Sequence, residues 1–213
     1  MSGLVLVGMG AHVQPRIALD IARARGLTLA GYLDVGSKAE APDRTLPRLG
    51  DVSRLDDADF VRAHDLFITA ADPERRDLAD RIAARSGRVA TLIHPSSIVA
   101  SSAFVGKGSL ISAACVVGVD ARVGRFCTLH SACTVDHDDV LGDWVTIAPG
   151  AHLAGWVTCG EGAYIGIGAA VVGRMQIGER AVVGAGAVVI RDVAPATTVA
   201  GNPAKPLSPR PKA

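Results

Sequence analysis

Residues 117–146 read VGVDAR VGRFCT LHSACT VDHDDV LGDWVT, and every group of six begins with an aliphatic residue. The same phase runs without insertion from Ile93 to Val189, and Cys159 is the one exception at this position. An α-helix needs an apolar period of 3.6 residues, and an ordinary amphipathic strand needs a period of 2. A period of six fits neither and indicates a repeat protein.

A triangular coil of short parallel strands explains this period. Three hexads make one coil of 18 residues, so residues 18 apart stack at the inter-strand spacing of ~4.8 Å. The first and fifth residues of each hexad face inward, and the fifth is Ser, Ala, Cys or Val except at Asp139 and Met175. We expect Met175 to fill the core. Glycine often follows the aliphatic residue, where we expect it to relieve the corner. The sequence therefore predicts a parallel β-helix over residues 93–194.

The tail, residues 195–213, carries five prolines, at positions 195, 203, 206, 209 and 211. Since proline cannot donate to a strand ladder, we expect this tail to form no strand and to cover one end of the coil.

Residues 1–92 alternate apolar and amphipathic segments. The pattern predicts strands at 4–7, 27–33, 66–69 and 88–93, helices at 15–25 and 73–85, and a loop from 35 to about 54. Strand–helix alternation of this kind favours a small parallel α/β sheet with ligands at the carboxyl ends of its strands.

A glycine turn from Gly8 to His12, together with Asp34 after the second strand, suggests nucleotide binding in this domain. The place of a third glycine is taken by Val13, which argues against a complete NAD site. From these residues alone, a tight turn without any ligand is an equally good interpretation.

Composition excludes several classes of function. The net charge is +1 and aromatic residues make up 4% of the chain, so a nucleic-acid-binding surface is not expected. No apolar run reaches the ~18 residues that suggest a membrane-spanning helix. The four cysteines lie at inward positions and form no CxxC pair, which fits buried thiols in a reducing cytoplasm. They are Cys115, Cys127, Cys133 and Cys159.

The hexad pattern is broken at Asp136-His137-Asp138-Asp139. Because functional sites often violate local rules, we interpret this cluster as a candidate active site. Glycines at positions 155 and 173, which are 18 and 36 residues after His137, would open a groove beside the imidazole. A carboxylate neighbour suits His137 to act as a general base, and the N–H of Gly155 suits an oxyanion. A solvated corner histidine with an acidic surface remains the alternative.

A zinc site is a rival hypothesis. His130, His137 and His152 occupy different positions of the hexad, so they do not stack into one column. Three-histidine geometry would then need a subunit interface. We predict no metal site within the chain.

The chain resembles bacterial hexapeptide-repeat acetyltransferases that modify sialic acid or nucleotide-linked amino sugars. Nearly the whole chain takes part in the resemblance. The motifs that carry it are the glycine turn with His12, Asp34, Ile93-His94-Pro95-Ser96, Val135-Asp136-His137-Asp138 and Gly201-Asn202-Pro203-Ala204-Lys205.

The resemblance implies a left-handed β-helix, a Rossmann-like N-terminal domain and a homotrimer with acetyl-CoA between subunits. It assigns His137 as the base, Asp138 as the carboxylate that tunes it and Gly155 as the donor near the thioester. The acetyl-CoA contacts that it implies are Thr146, Gly155, Ile167, Gly173, Ala185 and Lys205. The acceptor contacts that it implies are Gly8, Gly10, Ala11, His12, Asp34, Ala71 and Glu74.

Some positions depart from the family pattern. A second active-site histidine of some members aligns with Thr146, Asp139 replaces a small residue, Ala71 replaces a glycine, and Val35 replaces an acidic residue. The catalytic module is therefore better supported than the sugar-binding module.

The predicted function is direct transfer of an acetyl group from acetyl-CoA to the amine of a nucleotide-linked amino sugar. Three alternatives remain at this stage: O-acetylation of sialic acid or another sugar hydroxyl, a zinc enzyme similar to γ-carbonic anhydrase, and a non-catalytic binding module.

Overall fold

The computed structural model describes residues 3–9, 14–35, 43, 45–71 and 73–207. The chain divides into two compact units, Met1–Leu92 and Ile93–Ala213, here called the N-terminal and C-terminal units. In the described ranges, no helix is both long and apolar enough to cross a membrane.

The N-terminal unit is built on a parallel sheet. Its described strands are β1 Leu4–Met9, β2 Leu29–Asp34, β3 Arg48–Asp51, β4 Asp65–Ile68 and β5 Arg88–Val89. Its described helices are α1 Gln14–Ala24, α2 Ala58–Ala63 and α3 Glu74–Ala84, with a 3-10 turn at Val52–Asp56. The strand order is β3-β2-β1-β4-β5. Strands β2 and β3 therefore lie on one side of β1, and β4 and β5 lie on the other. Where the strand order of a parallel sheet reverses in this way, here between β1 and β4, a crevice forms at the carboxyl ends of the strands.

Central strand β1 is apolar because both of its faces are covered. Val5, Leu6 and Val7 have no exposed surface, as is typical of a strand inside a parallel sheet. Helix α1 ends where predicted, since Gly26 adopts a φ of +63° just beyond it.

Three features of this unit differ from the prediction. The strand predicted at 88–93 is divided into β5 Arg88–Val89, which belongs to this sheet, and β6 Leu92–Ile93, which belongs to the eight-stranded sheet of the coil. Strand β1 continues through Gly8, which lies in a bulge with a φ of +82°, and a Cβ there would lie 2.7 Å from Cβ of Ala70. The predicted loop also contains β3, and α2 follows it. Asp57 begins α2 by accepting hydrogen bonds from the N–H groups of Asp59 and Phe60, a capping signal that the sequence interpretation missed.

Short strands of two or three residues form three faces of the coil in the C-terminal unit. The six-stranded sheet contains β7 Ile98–Val99, β10 Val116–Val117, β13 Thr134–Val135, β16 His152–Leu153, β19 Ala170–Val171 and β22 Val188–Val189. The five-stranded sheet contains β8 Phe104–Val105, β11 Arg122–Val123, β14 Val140–Leu141, β17 Thr158–Cys159 and β20 Gln176–Ile177. The eight-stranded sheet contains β6 Leu92–Ile93, β9 Leu110–Ile111, β12 Thr128–Leu129, β15 Thr146–Ile147, β18 Tyr164–Ile165, β21 Val182–Val183, β23 Thr198–Ala200 and β24 Lys205–Pro206.

The register of these sheets confirms the 18-residue coil. Val116 pairs with Thr134 and Thr134 pairs with His152, always in parallel. The inward residues form one continuous apolar cluster from Ile111 to Val199. All four cysteines are buried thiols, as predicted, and Met175 packs against the cluster.

The corners of the coil are made differently from the prediction. The residue with positive φ comes three positions after the aliphatic residue and is often not glycine, as at Ala114, Phe126 and Trp156. The glycine that directly follows the aliphatic residue serves a different purpose: a Cβ on Gly106 would lie 2.5 Å from the backbone of Gly124 in the next coil. Glycine there permits close stacking of successive coils.

The expectation that no strand follows Ala194 is wrong. Strand β23 pairs in parallel with β21, and β24 pairs antiparallel with β23. Thr198, Val199 and Ala200 lie between the prolines, so this segment keeps the N–H groups that a ladder requires.

Candidate active site

The turn from Asp136 to Asp139 follows strand β13 and carries the candidate base. Nδ1 of His137 lies 2.9 Å from Oδ2 of Asp138, and the N–H of His137 donates to Oδ1 of Asp136 at 2.7 Å. The hydrogen bond to Asp138 is the main cause that raises the pKa of His137 above its usual value. Because an ionised carboxylate only accepts hydrogen bonds, this contact keeps the proton on Nδ1 and leaves Nε2 as the basic atom.

The imidazole ring of His137 lies directly against Gly155 of the next coil. A Cβ on Gly155 would lie 2.5 Å from Cε1 of this ring and would also collide with Nε2. A Cβ on Gly173, one coil further, would lie 3.0 Å from the carbonyl oxygen of Gly155. The structure thus brings the three residues into one column, as the 18-residue spacing predicted. No described residue accepts a hydrogen bond from the N–H of Gly155.

An aromatic side chain that the sequence interpretation missed completes this corner. Trp156 contacts the ring of His137 edge-on with 4.4 Å between the ring centroids. The guanidinium of Arg174 lies 4.4 Å above the indole of Trp156. Asp138, Trp156 and Arg174 are spaced 18 residues apart, so the same stacking rule that paired His137 with Gly155 would have found them.

Asp139 is completely buried beneath this turn. Its Oδ2 accepts the N–H of Asp136 at 2.8 Å, and its Oδ1 accepts the N–H of Val157 at 2.7 Å. Burial raises the pKa of Asp139 to about 7, although both N–H donors favour the charged form.

The other predicted acetyl-CoA contacts lie away from His137 within one chain. Ile167 and Ala185 occupy the corner that follows the eight-stranded sheet, whereas His137, Gly155 and Gly173 occupy the corner that follows the six-stranded sheet. Thr146 lies in β15 of the eight-stranded sheet, and Lys205 lies exposed in β24 of the same sheet. One chain therefore presents two separate groups on opposite edges of the six-stranded face.

Predicted acceptor contacts in the N-terminal unit lie at the carboxyl end of its sheet. Gly8 lies near the end of β1. Ala71 lies in the segment between β4 and α3, and Glu74 is the first residue of α3. Asp34 ends β2, and its Oδ2 accepts a hydrogen bond from Nε of Arg48 at 2.5 Å. This pairing was not predicted. Gly10, Ala11 and His12 lie outside the described residues.

The histidines do not form a metal-binding group in the described ranges, where no cluster of three His, Cys, Asp or Glu side chains with suitable geometry is found. His152 instead contacts Oγ1 of Thr134 through Nδ1 at 3.0 Å.

No protein-family model matches the sequence, and no curated protein does. Solved structures of bacterial acetyltransferases, however, are similar along almost the whole chain. GDP-perosamine N-acetyltransferase from Caulobacter crescentus, solved with CoA and GDP-perosamine, is 30% identical over 98% of both chains with a TM-score of 0.87. The acetyltransferase domain of PglB from Neisseria gonorrhoeae, solved with acetyl coenzyme A, is 32% identical over 96% of this chain and 98% of that one, with a TM-score of 0.86.

WeeI from Acinetobacter baumannii is 27% identical over 97% of this chain and 100% of that chain, with a TM-score of 0.83. These similarities cover both units and confirm the resemblance that the sequence motifs indicated. The chain belongs to the hexapeptide-repeat nucleotide-sugar N-acetyltransferases.

Proposed function

We propose that this protein transfers an acetyl group from acetyl-CoA to the amine of a nucleotide-linked amino sugar. The observation that carries the proposal is the position of His137, whose Nδ1 contacts Asp138 while its Nε2 edge lies against Gly155. The sugar N-acetyltransferase from C. crescentus, which binds CoA and GDP-perosamine, has the same overall fold and supports this assignment.

His137 acts as the general base in this proposal. Nε2 takes a proton from the acceptor nitrogen as that nitrogen adds to the thioester carbonyl, and the N–H of Gly155 donates to the resulting oxyanion. The intermediate collapses with cleavage of the C–S bond, and the proton held by His137 protonates the leaving thiolate. The four cysteines of the chain are buried inside the coil, so direct transfer is favoured over an acyl-cysteine intermediate.

We further propose that two copies of the chain build each acetyl-CoA site within a homotrimer of left-handed coils. Thr146, Ile167, Ala185 and Lys205 of one copy would complete the group around His137 of its neighbour. The separation of these two groups on opposite edges of one face supports this arrangement, because neither group is complete alone. Exposed apolar side chains on the coil, such as Ile98 and Val116, are also suited to subunit contacts.

The acceptor nucleotide is proposed to bind the N-terminal unit as in a Rossmann-like domain. The crevice at the switch between β1 and β4 is the expected place, with Gly8, Ala71 and Glu74 at its border. Asp34 would contact the acceptor from β2, and Arg48 beside it would add a positive charge suited to phosphate. Gly10, Ala11 and His12 keep their predicted roles. A cytoplasmic location is proposed because the substrates are activated metabolites.

Coenzyme A release with a panel of UDP-, GDP- and dTDP-linked amino sugars and free sialic acid tests this function. We expect release with one class of amino sugar and a loss of at least ~100-fold in kcat for His137→Asn. His64→Asn changes a histidine of the N-terminal unit and should retain activity. Turnover with sialic acid alone would show O-acetylation, and near-normal turnover of His137→Asn would disprove the assignment of the base.

A further inference from the structure

The buried carboxylate of Asp139 has no part in the proton transfer just described. Asp139 occupies the fifth position of its hexad, and the residue at this inward position in every other hexad is Ser, Ala, Cys, Val or Met. The side chain of Asp139 has no exposed surface. An ionised carboxylate is tolerated in such a place only when hydrogen bonds replace its hydration, so its partners explain why it is there.

Its two partners belong to two successive turns of the coil. Oδ2 accepts the N–H of Asp136, which precedes His137, and Oδ1 accepts the N–H of Val157, which lies two residues after Gly155. A single side chain therefore joins the backbone that carries the imidazole to the backbone that lies under it.

The bond to Asp136 replaces a regular bond of the coil. At the equivalent position in neighbouring coils, the N–H donates to a carbonyl 17 residues ahead, as in Gly118 to Val135, Ala154 to Val171 and Val172 to Val189. Asp136 donates to Asp139 instead. The turn that carries His137 is thus held by a side-chain hydrogen bond, whereas the equivalent turns of the other coils are held by backbone hydrogen bonds to the next coil.

Ser109 shows what a smaller polar group does at the same hexad position. Its Oγ accepts the N–H of Cys127 at 2.9 Å and donates to the carbonyl of Gly124 at 2.9 Å. A hydroxyl can therefore link two coils, and Cys127 stands to Ser109 as Val157 stands to Asp139. Only the carboxylate offers a second acceptor atom for the N–H of Asp136.

We infer that Asp139 is a positioning residue that holds the His137 turn out of the regular ladder and thereby sets the imidazole over Gly155. This inference rests on the proposed function for its catalytic meaning. Asp139 touches neither substrate nor the reacting atoms, and it acts through the backbone of Asp136 and Val157.

Two variants and one control test the inference. Asp139→Ser keeps a link to Val157 of the kind that Ser109 makes, and Asp139→Ala restores a residue that the coil already accepts at Ala121 and Ala163. Ser109→Ala removes an equivalent link between two coils that come earlier in the chain. We expect both Asp139 variants to lose roughly 10- to 100-fold in kcat with the KM for acetyl-CoA changed less than about 2-fold, while Ser109→Ala keeps its kcat.

The pH profile separates positioning from simple destabilisation. Since burial raises the pKa of Asp139 to about 7, protonation of this group as the pH falls through 7 should release one N–H and lower activity. The acid limb of kcat/KM should then depend on one proton fewer in Asp139→Ala than in the wild type. A wild-type kcat and an unchanged acid limb in both Asp139 variants would overturn the inference.

A measurement without turnover keeps this inference distinct from the proposed function. In NMR spectra, the amide of Asp136 should shift and exchange faster with solvent in Asp139→Ser and Asp139→Ala, and the imidazole signals of His137 should move. Ser109→Ala should leave them unchanged. If the wild type released no coenzyme A with any acceptor, the proposed function would fail while these spectra still decided the positioning role. Unchanged Asp136 and His137 signals would refute that role.

Discussion

The imidazole of His137 rests on the backbone of Gly155, so closely that any side chain at position 155 would displace it. Asp138 holds the opposite side of the ring through Nδ1, and Trp156 contacts it edge-on. The ring is therefore fixed by contacts from two coils, which is the kind of preorganisation that a general base requires.

Replacing Gly155 with alanine should lower kcat by at least ~100-fold, because the added methyl group would push the imidazole away from its place. Gly150→Ala is a suitable control: a Cβ there meets no atom within 4 Å, and Ala132 already adopts the same positive φ one coil earlier. Steady-state kinetics of both variants check the prediction. Equal activity of Gly155→Ala and Gly150→Ala would contradict it.

Asp138→Asn should lower the pKa of His137, since the hydrogen bond that Nδ1 of His137 donates to this carboxylate is the main cause of the raised value. A base with a lower pKa stays unprotonated to lower pH, so the acid limb of the rate profile should move to lower pH. The maximal rate should fall ~10-fold or more, because the amide no longer selects the tautomer. An acid limb that stays in place, measured with kcat/KM from pH 5 to 9, would speak against this contact.

Trp156→Ala should reduce kcat by about 10-fold and free the ring of His137, whereas Trp156→Phe should keep most of the activity because an aromatic edge remains. The loss of Arg174 stacking in Trp156→Ala adds ~1 kcal/mol or less to the destabilisation, as expected for an exposed cation–π pair. Kinetics and thermal unfolding of the two variants test this. If both variants behaved alike, the aromatic contact would have no catalytic role.

Stability should depend on pH through Asp139. The pKa of its carboxyl is raised to about 7 in the folded protein, above the ~3.9 of an unfolded chain. The group therefore favours folding at low pH, and this contribution is lost as the pH rises through 7. Relative to Asp139→Ala, the wild type should lose on the order of 2 kcal/mol of unfolding free energy between pH 5 and pH 8. Urea unfolding of both proteins at these two pH values measures the difference, and parallel curves would exclude it.

The repeat made the coil and the His137 column predictable, because a period of six fixes which residues stack 18 apart. It did not reveal how the corners are built. Positive φ falls on residues such as Asp138 and Trp156, whose identity gives no conformational signal comparable to glycine. The edge-on contact of Trp156 with His137 and the position of Arg174 over Trp156 were therefore missed, although the spacing was available.

Short or edge elements were harder to predict than the coil. Strand β3 has four residues with little apolar alternation, and β23 lies among prolines, so tertiary pairing with β2 and β21 determines both. The pairing of Asp34 with Arg48 depends on β3 lying beside β2. The sequence predicted a loop in place of β3, so this pairing could not be foreseen. The buried role of Asp139 needed the hydrogen-bond pattern, since the sequence shows only that the residue is unusual.

The corner residues with positive φ differ between the corner that carries Ile167 and the corner beside His137, and this difference affects the stability of the coil. At the corner that carries Ile167, three successive coils use Gly150, Gly168 and Gly186 for the positive φ, at no steric cost. At the corner beside His137, the same conformation is imposed on Asp138, Trp156 and Arg174, each at a cost of about 1 kcal/mol or more. Glycine at position 156 or 174 should therefore make the protein more heat-resistant and a poorer enzyme.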